Sequence, residues 1–205
     1  MSKKELFLKS CNLLFPYLSK KENIDLTMME KDLLESMNGF KSIIEKFPKS
    51  GLTADCHWMI GKIFDLKNNN EESYNSFILA KNIYAKLFIA KKISSRVFSD
   101  SMREISLQCL KTKRYDEAVY FANTALEFSP KDYTLLSNLS VTKLFQGRLD
   151  EAKKIAIKCQ KKFPEDFPSK TVLFAVKQIK NKVCDVPKTF KDFGNLIENG
   201  DLKND

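Results

Sequence analysis

The feature that most constrains this chain is a short segment that occurs twice. Arg114-Tyr115-Asp116-Glu117-Ala118 recurs as Arg148-Leu149-Asp150-Glu151-Ala152, and Ala118 and Ala152 are 34 residues apart. A second landmark keeps the same step: Pro130, after Phe128-Ser129, and Pro164, after Phe163, are again 34 residues apart. Two landmarks with one period mark a structural repeat, in which each unit is one supersecondary element that buries its apolar face only by stacking on its neighbours. The unit is helical rather than stranded. Six glycines and six prolines in 205 residues leave little punctuation for the turns of an all-β chain.

The period and the residues within it resemble the tetratricopeptide repeat, a pair of antiparallel helices A and B. That family places a large and then a small residue in helix A, an acidic-acidic-Ala start in helix B, further small and aromatic positions, and a closing Pro. Residues 99–132 resemble one unit, with Ala118 and Ala125 as the small residues of helix B, and residues 133–166 the next, with Leu136, Leu139, Gly147 and Ala152. Upstream, Trp58, Ile60, Gly61 and Phe64 resemble a helix A, and Glu71, Glu72, Ser73, Phe77 and Ala80 its helix B. Ser36, Phe40, Ile43 and Pro48 resemble another helix B. The resemblance covers about residues 30–180. It implies an all-α, right-handed α-solenoid of tetratricopeptide-type helix pairs, with an N-terminal helix and a C-terminal capping helix. The expected organisation is one superhelix over 1–198, with units at about 30–50, 54–98, 99–132 and 133–166, a partial unit at 167–182, and a frayed tail at 199–205.

The irregular spacings fit helix lengthening. Ser73 to Ala118 is 45 residues, 11 more than the period. Eleven residues make about three helical turns, so a helix can grow by that amount with little rotation of its buried face. A long helix is therefore expected over about 71–92. Asn70 is the expected cap of that helix, Ser101 to Glu104 forms a capping-box pattern, and Asp132 precedes a helix from Tyr133. Pro168, just after Asp166, suits a first helical turn. Residues 171–182 form a further A-type helix, and Phe190, Phe193, Leu196 and Ile197 a short terminal one. At the N-terminus an amphipathic helix is expected to bury Leu6, Leu8, Leu13, Leu14 and Phe15.

Composition excludes several classes. No stretch approaches the roughly 20 apolar residues of a membrane span. The apolar part of the N-terminus is interrupted by Lys9 and Ser10 without a small-x-small site, which argues against a secretory signal. Cys11, Cys56, Cys109, Cys159 and Cys184 form no CxxC pair and the single histidine is His57, so no zinc site is expected. The cysteines suit small buried apolar positions in a reducing cytoplasm. Cys56 and His57 are adjacent, and neighbours on a helix point about 100° apart, which disfavours a nucleophile–base pair.

The resemblance implies that A helices line a concave surface, and it places there Trp58, Lys62 and Leu66, then Arg103, Leu107 and Lys111, then Ser137, Val141, Leu144 and Phe145, with Thr171 and Ala175 last. Two readings of the apolar ones stay open: contacts for a partner's helix or peptide, or positions covered by neighbouring helices or the C-terminal segment. A carboxylate clamp of the co-chaperone type is disfavoured, because Leu107, Pro168 and Val172 fall where polar clamp residues are needed. The expected function is that of a non-enzymatic, cytoplasmic protein-binding scaffold or adaptor, alone or as a subunit of a larger complex, whose partner is another protein and which uses no cofactor and no small-molecule substrate. The alternatives are a secretion-type chaperone and a binder of anions or nucleic acid through the lysine-rich stretch 153–182. Of the net charge of +9, residues 151–205 carry +4, and Lys153, Lys154, Lys158, Lys161 and Lys162 head that stretch. No aromatic–basic interleaving or phosphate loop supports nucleic acid, and a lysine run is commonly a solvated helix face.

Overall fold

A computed structural model of the chain describes residues 1–19 and 25–198, with side chains described as far as Leu196; the expected tail at 199–205 lies outside the described residues. Ten helices follow one another: α1 (Lys3–Leu18), α2 (Leu26–Lys46), α3 (Leu52–Leu66), α4 (Asn70–Ile89), α5 (Ser95–Lys111), α6 (Tyr115–Phe128), α7 (Tyr133–Phe145), α8 (Leu149–Lys162), α9 (Phe167–Lys180) and α10 (Phe190–Glu198). The chain forms two compact units, Met1–Ser101 and the residues from Met102 onward.

In the first unit α1 packs on α2 and α3 on α4, and α2 and α1 both contact α3. Cys11, Leu14, Tyr17, Leu33, Met37, Phe40, Ile43, Cys56, Ile60 and Ile63 make one core. Ala54, Ala80 and Tyr84 make a second, with Trp58, Ile83, Leu87, Ile93 and Phe98 packed around it. Thus α1 is the partner of the helix that the sequence placed in the 30–50 unit. Its packing face differs from the expected one. Leu14 is fully buried and Leu6 and Leu13 half-buried, but Leu8 is 60% and Phe15 48% exposed. Ser10, Cys11 and Tyr17 take the inward positions, and the Tyr17 hydroxyl donates to Asp32 Oδ2 at 2.6 Å.

In the second unit α7 packs on α6, α8 and α9, α8 on α9, and α10 on α9. Ala118, Ala125 and Ala152 are completely buried. The repeat recurs in detail. Arg103 donates to Asp132 Oδ2 at 2.9 Å, and Ser137, 34 residues on, donates to Asp166 Oδ2 at 2.9 Å. Gln146 donates to Asp116 at 2.9 Å, and Lys180 to Asp150 at 2.6 Å, the same step again. Helices α3, α5, α7 and α9 also end in one kind of turn. Asn68, Lys113, Gly147 and Lys182 have positive φ, and the next N–H reaches back to the carbonyl five residues earlier, as in Arg114 to Cys109 at 2.8 Å and Arg148 to Lys143 at 2.9 Å. After α9 the same turn is made, with Val183 N–H bonding Gln178 O at 3.0 Å. A B helix like α8 does not follow; Pro187, which has no N–H to donate, lies where its second turn would begin.

Most expected boundaries hold and three shift. Asp132 accepts the N–H groups of Thr134 and Leu135, and Asp166 that of Ser169 with Pro168 in the first turn. The cap of α4 is Asn69, not Asn70, and this helix ends at Ile89 rather than 92. Ser101 caps nothing: it lies inside α5, and its hydroxyl donates to Phe98 O at 2.7 Å. Ser94, whose hydroxyl accepts Val97 N–H at 3.4 Å, starts that helix earlier. Four cysteines are buried and Cys184 is half-buried, so the expectation of burial fails there. No helix among the described residues is long and apolar enough to cross a membrane.

Candidate functional site

Trp58, Lys62 and Leu66 follow one another by a helical turn on α3 and share a face. That face is half-buried. The Trp58 ring meets Phe77 edge-on at 5.0 Å and Tyr84 at 6.2 Å. Lys62 Nζ lies 5.7 Å from both the Trp58 and Phe77 rings, within cation–π range. Leu66 packs against the first core. Trp58 is therefore half-buried and takes part in its own hairpin's packing. Beside it, Tyr84 donates to Asp55 Oδ1 at 2.7 Å. Burial raises the Asp55 carboxyl above its ordinary range, with the Tyr84 hydrogen bond opposing. Burial also pushes the Cys56 thiol up to about 12, aided by Asp55 and Cys11, and lowers His57. Both shifts oppose transfer of the thiol proton to the imidazole, the step that a nucleophile–base pair requires.

In the second unit the candidate residues divide. Arg103, Leu107 and Lys111 are half-buried on α5, Arg103 held by Asp132. Ser137, Val141, Leu144 and Phe145 on α7 are buried, as are Thr171 and Ala175 on α9. These six are covered by the chain itself, so they do not form an open surface. What covers Phe145 is visible. Its ring stands edge-on to Tyr115 at 6.2 Å, to Phe190 at 5.7 Å and to Phe193 at 5.9 Å. Tyr115, at the start of α6, donates its hydroxyl to Lys188 O at 3.2 Å. The covering helix is well started: Asp192 N–H donates to Thr189 Oγ1 at 3.0 Å, and Lys188 N–H to Asp192 Oδ2 at 3.1 Å. The Thr189 and Lys188 hydrogen bonds, with Lys113 nearby, hold the Asp192 carboxyl below its usual range. The segment that carries Phe190 and Phe193 thus packs on Phe145. Tyr115 and Asp192 were missed by sequence reasoning. The signal for the segment was its pattern, Thr189 as a cap followed by Phe190 and Phe193 three residues apart.

The alternative basic site is laid out on α8. Lys153, Lys154, Lys158, Lys161 and Lys162 are all exposed, with Ile157 among them. Where α8 turns into α9, Tyr133, Phe163 and Phe167 line an open groove of about 460 Å³ rimmed by Lys162 and Glu165. Among the described residues no group of three or more His, Cys, Asp or Glu is placed to hold a metal ion.

No family model matches this sequence, and no curated protein does. Solved structures do match in shape. YrrB, described as a TPR protein with an unusual peptide-binding site, superposes with a TM-score of 0.61 at 12% identity, over 97% of this chain and 94% of that one. MamA of AMB-1 superposes with a TM-score of 0.55 at 12% identity, over 96% of each chain. At this identity the likeness establishes the fold, an all-α solenoid of tetratricopeptide-type helix pairs.

Proposed function

We propose that this chain is a non-catalytic protein-interaction scaffold, an adaptor or a subunit of a larger complex, that takes a helix or extended segment of another protein on its A-helix faces. One observation carries the reading: an amphipathic helix already lies on α9 and against Phe145, held by aromatic edges and a backbone hydrogen bond. Helix-in-groove recognition uses this same physics, with apolar anchors at helical spacing on one face. YrrB, of the same fold, is described as having a peptide-binding site. The half-buried residues Leu107 and Lys111 on α5 and, separately, Lys62 beside Trp58 on α3 are the proposed contacts. The test is to purify proteins captured by the tagged full chain and titrate each one back as a pure component. We expect a partner whose binding weakens about tenfold or more with Leu107→Asp, since anchors commonly carry about 2 kcal/mol. Absence of any direct binder, or binding indifferent to Leu107, Lys62 and the Phe145 surface, overturns the reading.

A second reading rests on the five exposed α8 lysines, which place a concentration of positive charge on one helix. If an anionic partner docks there, affinity falls steeply with salt and Lys154→Glu with Lys158→Glu and Lys161→Glu abolishes it, whereas Leu107→Asp does nothing.

A further inference from the structure

Residues 183–198 depart from the repeat and return to it. The turn after α9 is the one that, in the two preceding pairs, launches a B helix. Here it launches instead a loop through Val186-Pro187 and then the nine residues of α10. Nine residues are too few for a helix to persist alone in water, so α10 is helical because it is docked. The docked face is concentrated in few residues. Phe193 is 6% exposed and Phe190 40%, and both address Phe145, itself 5% exposed. Beside them the Tyr115 hydroxyl binds the backbone at Lys188, and Lys113 is near enough to act on the Asp192 carboxyl. The packing beneath α10 is thus a small apolar seat for two aromatic rings with a hydroxyl donor and a cation at its edge.

We propose that this seat, formed by Phe145 and Tyr115 with Lys113 at its rim, takes from another protein a short amphipathic helix with two aromatic residues three apart and an acidic residue before the second, and that residues 187–196 are its resident competitor. The inference rests on the scaffold reading above and adds to it the chemistry of the partner and the means of control. The chain's own Phe190-Lys191-Asp192-Phe193 is the template for that chemistry. Competition follows from the tether. A segment on a short linker faces its seat at an effective concentration on the order of 1 mM. If the free segment binds with a dissociation constant of about 50 μM, the seat is occupied about 95% of the time, and an incoming helix of equal affinity is weakened roughly twentyfold.

The experiment uses the full chain and a labelled synthetic peptide of residues 185–198 as the probe. Phe190→Asp with Phe193→Asp in the chain empties the seat without altering it. The peptide should bind this variant with a dissociation constant of tens of micromolar, and wild type about tenfold or more weakly. A peptide carrying alanine at both aromatic positions should not bind. Should the double variant lose helicity, Phe193→Ala alone serves, with release read as faster tryptic cleavage at Lys188 and Lys191. A charge swap supplies an independent reading. Lys113→Glu should speed that cleavage up to about threefold, the scale of a screened charge–charge interaction, and Lys113→Glu with Asp192→Lys should restore it. Equal binding to wild type and opened chain, or none to either, overturns the inference. A purified partner sensitive to Leu107→Asp would still leave the scaffold reading standing, so the two can fail separately.

Discussion

The helix crossings of the first unit and those of the second solve one packing problem with different chemistry. In the first, the small residue of helix B is serine. Ser36 on α2 donates to Ser10 O at 2.8 Å, and Ser73 on α4 donates to Gly61 O at 2.9 Å. In the second, the corresponding positions are Ala118 and Ala152, and the hydroxyl has moved to the opposite helix: Ser106 on α5 donates to Ala118 O at 2.8 Å. Ser140, 34 residues after Ser106, turns to Ser137 O in its own helix. What is held constant is volume at the crossing, and a polar atom is tolerated wherever a carbonyl is within reach. Glycine stands where even a methyl is too large: a Cβ at Gly61 would meet the fully buried Phe77 ring at 2.9 Å, and one at Gly39 would run into the Ser10 hydroxyl. The units also treat their exposed-looking aromatics differently. Trp58 is held by Phe77 and Tyr84 of its own hairpin, whereas Phe145 is covered by a segment from the end of the chain.

The second contrast gives the largest expected effect. Trp58→Ala removes a ring packed on two others and should destabilise the fold by about 3 kcal/mol, read as a lowered denaturation midpoint. Phe145→Ala should act first on residues 187–196, which become accessible to trypsin before the remaining helices unfold. An unchanged midpoint for Trp58→Ala would mean that the ring contributes surface and not core.

The volume rule is tested at the crossings. Ala118→Leu and Ala152→Leu should each cost roughly 1–3 kcal/mol by overpacking, and by similar amounts, because the two sites are 34 residues apart in one repeat. A large cost at one and none at the other would break the equivalence of the pairs. The hydroxyl, in contrast, should matter less than the volume: Ser73→Ala loses one buried hydrogen bond, about 1 kcal/mol, and leaves Gly61 O without that second donor. A loss above the leucine values would invert the ranking of volume over hydrogen bonding.

These contrasts also divide what was legible in the sequence from what was not. Ala118, Ala152, Gly61, Asp132 and Asp166 could be read in advance because caps and small crossing residues are fixed by local backbone geometry and by the period. The start of α5 could not, since two serine patterns compete, and the earlier one at Ser94 wins while Ser101 is absorbed into the helix. The faces of α1 were ambiguous for another reason: its apolar residues spread around the helix, and only the position of α2 decides that Cys11 goes in and Leu8 and Phe15 go out. The exposure of Trp58 and Phe145 depends on rings 19 to 48 residues away in sequence, which no periodicity encodes. The candidate site was therefore named by register, while its cover was foreseen only as one of two options.

The smallest expected effect concerns the turns, where the two pairs of the second unit differ by one residue type. Lys113 and Gly147 are 34 residues apart and both adopt the left-handed conformation, at φ of 61° and 73°. Glycine visits that region freely, whereas a side chain there costs about 1 kcal/mol or more. A Cβ at Gly147 would meet nothing within 4 Å, so any penalty at this site is conformational and not steric. Gly147→Ala should consequently lower stability by about 1 kcal/mol, while Lys113→Ala, which already carries the strain, should change it by a few tenths at most. Chemical denaturation of the two variants side by side measures the difference. Equal effects would show that the turn after α7 is held by its backbone hydrogen bond from Arg148 to Lys143 firmly enough to make the residue at its apex indifferent.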